Sequence, residues 1–130
     1  MKASLALEAA DLLTSEVRVL FHPIHLERVT LRAAPPLLMK VWGTGIQAIT
    51  LGNHIFIDPE TLSGHPRPLG LLVIHELTHL RQWTDGGCLG FYLPYLFEYL
   101  EGRRAGRSHR DAYMEISFEE EAREMSARFR

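Results

Sequence analysis

The sequence predicts a small α+β protein, and three observations carry that expectation. Residues 69–83 form an apolar run with the length of a helix. Two β-rich runs, 46–50 and 54–58, flank the turn-forming Leu51-Gly52-Asn53 and read as a hairpin. Apolar residues recur at a helical period near both ends of the chain. The 130 residues suffice for one modest core, with no repeat, low-complexity segment or domain boundary, so residues 1–130 are read as a single domain.

Taken in order, Leu5, Ala9, Leu12, Leu13, Val17 and Leu20 give residues 4–21 a helical period that Pro23 ends. Residues 26–32 (LERVTLR) read as a short strand. Two prolines at the start of 34–42 suit the first turn of a short helix. Gly43-Thr44-Gly45 reads as a loop before the hairpin, and residues 58–68 as a Pro/Gly loop after it. The apolar helix 69–83 is expected to stop at Asp85-Gly86-Gly87. An aromatic helix over 89–101, bent at Pro94, comes next, then a basic turn over 102–108 and a short helix over 109–114. Ser117 is placed as the cap of a last helix, 118–129, with Glu119, Glu120 and Glu121 near its positive end. The small sheet is expected to pack on the helix 69–83, with the remaining helices after it.

Composition narrows the functional classes. A net charge of −2 gives no reason to invoke nucleic acid or an acidic membrane surface. The single cysteine, Cys88, excludes an intramolecular disulfide and a CxxC metal motif. Glu8 and Asp11 interrupt the apolar N-terminus, which does not resemble a signal peptide, and the longest apolar stretches are too short to span a bilayer. The expectation is a cytoplasmic protein with no membrane span.

The apolar helix carries the chemistry. His75-Glu76-Leu77-Thr78-His79 is an HExxH motif. Residues four apart share one face of a helix, so both imidazoles can bind one Zn²⁺ at about 2.0–2.1 Å. Glu76 is then placed to act as general base toward a water on the metal. Two histidines and a glutamate buried without partners would each cost several kcal/mol, which a metal removes. The alternative is a pair of core histidines with ordinary hydrogen bonds. Two imidazoles and a carboxylate suit zinc among divalent metals.

A hydrolytic zinc usually has three protein ligands and one open position. Asp85, six residues after His79, stands where some enzymes place the third, but Gln82 replaces the glycine whose turn would bring it back. The run Glu119-Glu120-Glu121 is the better source. Successive residues point about 100° apart on a helix, so only one of the three can face the metal. Phe118, Ala122, Met125 and Phe129 mark the buried face, which ranks Glu119 first, Glu121 second, and leaves Glu120 to solvent.

The run HELTHLRQW, followed later by Ala112-Tyr113 and FEEEA, resembles the small gluzincin metallopeptidases, the minigluzincins. It also resembles the HExxH domains of unknown function found beside bacterial contractile injection systems. Residues 48–55 (AITLGNHI) are similar to the TLGN hairpin of those domains, and the likeness covers roughly residues 25–125. The resemblance implies a zincin-like domain with His75 and His79 as ligands, Glu76 as base and Glu119 as third ligand. Many gluzincins carry an acidic residue four positions after the ligand glutamate. That position is Arg123 after Glu119 and Glu124 after Glu120, a departure that bears on the choice among the three.

The expected function is a zinc-dependent peptidase acting on a peptide or protein, latent or highly selective because so small a domain lacks the second lobe of larger gluzincins. The alternative is a non-catalytic metal-binding module of a larger bacterial assembly. Tyr113 is the candidate oxyanion donor and His109 the second choice. The hairpin offers an edge for an extended peptide. Phe91, Tyr92, Tyr95, Leu96 and Tyr99 read as core packing, the arginines of 103–110 as a solvated turn, and Cys88 as a packed thiol rather than a latency switch.

Overall fold

In the computed structural model, which describes residues 1–42 and 47–130, the helical period over residues 4–21 is divided between two helices, α1 (Ala3–Ala9) and α2 (Ser15–Leu20). Asp11 takes a left-handed conformation (φ 57°). The Leu12 N–H then donates to the Leu7 carbonyl at 2.8 Å, and that of Asp11 to Glu8 at 3.0 Å. This is the left-handed helix stop usually built on glycine, and the Leu7 and Leu12 that flank it are both buried in the same core. Thr14 caps α2. Apolar spacing continues across the break, so the pattern does not betray it.

A 3₁₀ turn (Leu26–Arg28) replaces the start of the expected first strand, and β1 spans Thr30–Ala33. The helix α3 (Pro36–Trp42) precedes the hairpin of β2 (Ala48–Leu51) and β3 (His54–Ile57); Gly43-Thr44-Gly45 and Ile46 lie outside the described residues. Gly52 supplies the positive φ (60°) at the first central position of the two-residue turn. The sheet order is β1-β3-β2, with β1 parallel and β2 antiparallel to β3. Lys2 bridges to Thr30 and covers part of the β1 edge, so β2 presents the free edge among the described residues. Ile55 and Ile57 enter the same core as Val73, Ile74 and Leu77, which packs the sheet on the motif helix as the sequence predicts.

The segment 58–68 is not all loop: Asp58 caps a short helix, α4 (Pro59–Leu62). The next helix, α5 (Pro66–Arg104), carries both runs expected as separate helices. Gly86 stays helical and the break falls at Gly87 (φ 74°, ψ 175°), a conformation only glycine takes without steric cost. Pro94 is accommodated inside the second arm. A short helix, α6 (His109–Met114), has the predicted bounds, and α7 (Ser117–Ala127) follows. Ser117 is the first helical residue rather than the cap. Its N–H donates to Glu98 at 3.1 Å and its hydroxyl to the same carboxylate, so an anion from α5 sits at the positive end of α7.

The two arms of α5 differ in cover. The first packs on α1, where Gly70 lets the helices approach so closely that a Cβ there would lie 2.4 Å from that of Ala10. On the second, Phe91 turns inward while Leu89, Leu93, Leu96, Phe97 and Leu100 are 50–69% exposed. No described helix is long and apolar enough to cross a membrane.

Candidate metal centre

Helical spacing on α5 sets His75 and His79 side by side, their ring centroids 5.0 Å apart. Glu76 follows His75 and is 3% exposed. His75, Glu76 and His79 offer donor atoms within 4.8 Å of one another, close enough to bind a metal ion. A second carboxylate reaches the pair from α7. Glu119 is buried, with Oε2 3.1 Å from His75 Nε2 and Oε1 2.8 Å from His79 Nε2. Its two neighbours do not share this position. Glu120 is exposed, and Glu121 accepts from Gln82 Nε2 at 3.2 Å.

The surrounding bonds fix how each group presents itself. Gln82 Nε2 donates to the Phe118 carbonyl (3.1 Å) as well as to Glu121, so its Oε1 must face His79 Nδ1, 2.9 Å away. Nδ1 is therefore the proton-bearing nitrogen, and in the neutral ring Nε2 carries the lone pair. That nitrogen is buried without a well-directed hydrogen bond, although Glu119 Oε1 lies close by. An orphaned buried ring nitrogen is rare. Here it converges with a second imidazole and a buried carboxylate, a donor set that fits a divalent cation. Tyr95 donates its hydroxyl to Glu119 Oε1 at 2.9 Å, and Thr50 donates to Glu76 Oε2 at 2.7 Å, drawing that carboxylate toward the hairpin.

These contacts shift the ionisations of the chain without metal. Burial favours neutral His79, but the carboxylates of Glu119 and Glu76 outweigh it and push the ring up to about 9. Burial also opposes the charge of Glu119, yet the two imidazoles hold its carboxyl well below the usual range. Burial first, then the Glu119 charge, keeps the Tyr95 and Tyr113 phenols protonated far above their ordinary value, as hydrogen-bond donors.

The group opens into an apolar cleft of about 320 Å³ between β2 and the second arm of α5. Ile49, Leu51, Phe91, Tyr92 and Leu96 line it, with Glu76, His79 and Glu119 at its base. Tyr113 stands in its wall. His109 also lines it, with Nδ1 2.8 Å from the Tyr99 hydroxyl.

The structure thus gathers His75, Glu76, His79, Glu119 and Tyr113. Asp85 stays outside, exposed and 3.7 Å from Arg81, because the helix continues past Gln82. Cys88 is exposed rather than packed, since it follows the Gly87 break. Sequence reasoning missed Gln82, Tyr95 and Thr50. Gln82 had a signal in its spacing, three residues after His79 on one helix face. A tyrosine in an apolar stripe also signals, because a buried hydroxyl usually seeks a partner. Thr50 gave none.

Residues 40–87, which include the hairpin and the HExxH segment, match the model of a family described as the eCIS core domain. The match links the chain to extracellular contractile injection systems. It ends before α7, so Glu119 and Tyr113 lie beyond it. Neither the curated proteins nor the solved structures compared with the chain include a match.

Proposed function

We propose that the chain is a metal-dependent peptidase domain of gluzincin type, with His75, His79 and Glu119 as ligands and Glu76 as general base. The observation that carries this reading is the seating of Glu119, from a separate helix, against Nε2 of both imidazoles. Glu76, whose carboxylate accepts from Thr50, lines the same cleft. Two imidazoles and a carboxylate suit zinc. When bound, the ion would supply a Lewis acid and make water a nucleophile near neutral pH.

Glu76 takes the proton from the attacking water and delivers it to the leaving amine. Thr50 orients that carboxylate, and Gln82 fixes the tautomer of His79. Tyr113, protonated and in the cleft wall, donates to the oxyanion. The free β2 edge receives the substrate as an added strand. In zinc-loaded protein, Glu76→Gln should lower peptide hydrolysis by roughly 10²–10⁴-fold with the metal retained. Equal hydrolysis by both proteins would exclude Glu76 as the base.

A second reading, a metal-binding module docking onto other components of an injection system, is supported by the eCIS core match. The exposed apolar side chains on the second arm of α5 also support it, as a surface that monomers seldom leave in water. A chain that binds zinc but hydrolyses no peptide would favour this reading.

A further inference from the structure

The candidate centre lies where two cavities meet. Beyond Glu76, Tyr113 and Glu119 from the apolar cleft is a second cavity, of about 350 Å³. Its wall takes Gln47, Pro68, Leu72 and Met114, together with His75, the carboxylates of Glu76 and Glu119, and the guanidinium groups of Arg123 and Arg130. Arg123 is half-buried and donates to the Met114 carbonyl, with Nη1 3.5 Å from Met114 Sδ. Both of these partners are neutral. Among the described residues no carboxylate comes within 4.0 Å of it. A guanidinium has five donors in a planar fork that matches a carboxylate. One that is half-buried, anchored by a carbonyl and aimed at no acid is poised to bind one.

We propose that the second cavity is a carboxylate subsite, in which Arg123 binds an acidic group of the substrate across the centre from the apolar cleft. The proposal rests on the peptidase reading. Strand β2 and the residue before it fix the direction: Gln47 borders the second cavity alone, Ala48 borders both, and Ile49, Thr50 and Leu51 border the cleft alone. A peptide added antiparallel to that free edge runs the opposite way. Its N-terminal residues lie in the cleft and its C-terminal residues reach Arg123. The substrate class is therefore a peptide with an apolar residue before the scissile bond and a carboxylate after it. That carboxylate is an acidic side chain or a free C-terminus.

The test is binding of three N-acetylated peptides that share an apolar half. One ends in a free carboxylate, one is amidated, and one is amidated but carries a glutamate in its C-terminal half. Dissociation constants are measured by calorimetry on the metal-free chain and again with one zinc per chain, for wild type, Arg123→Gln and Arg123→Lys. The wild type should bind one or both acidic peptides on the order of 10–100-fold more tightly than the amide, and which of them it prefers identifies the source of the carboxylate. Arg123→Gln should remove that preference and leave amide binding within about twofold, and Arg123→Lys should restore part of it. The amide peptide reports whether the variants keep their fold. Equal binding of all three peptides by the wild type, no binding of any, or a preference that survives Arg123→Gln would overturn the proposal. Cleavage without carboxylate preference would remove the subsite and leave the peptidase standing. Arg123-dependent binding without cleavage would keep the subsite and remove the peptidase.

Discussion

The second arm of α5 is the more apolar in sequence, yet the first is the more deeply buried. Before Gly87, Val73, Ile74, Leu77 and Leu80 are buried against α1 and the sheet, and His75 and His79 ride on that fixed scaffold. After Gly87, only one face is covered, by Phe91 against Phe118 and by the Tyr95 hydroxyl on Glu119. The difference teaches that helical apolarity does not set burial; the partner does. The first arm holds the donors, and the second walls the cleft and ties α7 into place through Glu98.

Truncating a leucine on each arm should show the largest contrast. Leu77→Ala, at a fully buried position, should lower unfolding free energy by about 2–5 kcal/mol in denaturant titration. Leu93→Ala, 58% exposed, should stay within about 0.5 kcal/mol. Similar losses at both would mean that the second arm has a partner in the free protein.

Next come the groups that orient donors from each arm. Gln82→Met removes the acceptor for His79 Nδ1, and Tyr95→Phe removes the donor to Glu119. Each should weaken zinc binding by roughly 10–100-fold in a chelator competition. Unchanged affinity for Tyr95→Phe would reduce the second arm to packing.

Glycines sharpen the comparison at smaller scale. Gly70→Ala forces a methyl to 2.4 Å from Ala10 and should cost about 1–3 kcal/mol. Gly90→Ala meets nothing within 4 Å and should stabilise by about 0.4–1 kcal/mol. Thermal melts of the two variants should shift in opposite directions.

A further contrast comes from pH. In the metal-free chain His79 keeps its proton up to about 9, raised from 6.5, so zinc must displace it. Affinity should rise by up to about tenfold per pH unit toward 9 and then level. The stability of the metal-free chain runs the other way. The contribution of protonated His79 is full below 6.5 and is lost as pH rises through about 9. An affinity flat from pH 7 to 9 would show that no proton leaves.

Local chemistry was legible in the sequence. The hairpin followed from Gly52-Asn53 between β-rich runs, the pair of imidazoles from a four-residue spacing, and the inward turn of Glu119 from the apolar positions around it. What escaped depends on partners distant in the chain. Asp11 stops α1 in a left-handed turn whose flanking Leu7 and Leu12 are both buried in the core, which no dipeptide pattern announces. Tyr95 read as packing because its acceptor comes from another helix. The bend at Gly87 was read as an end, because periodicity cannot tell a stop from a change of direction.

The central claim is that α7 completes, through Glu119, a site begun on the first arm of α5. Zinc per chain, measured by mass spectrometry on purified wild type, His79→Ala, Glu119→Ala and Glu76→Gln, tests it most directly. The account predicts one zinc in wild type and in Glu76→Gln, and loss in the other two. Retention by Glu119→Ala with loss from Glu76→Gln would contradict it and make Glu76 the third ligand. No zinc in wild type, even after addition of the metal, would contradict the site altogether.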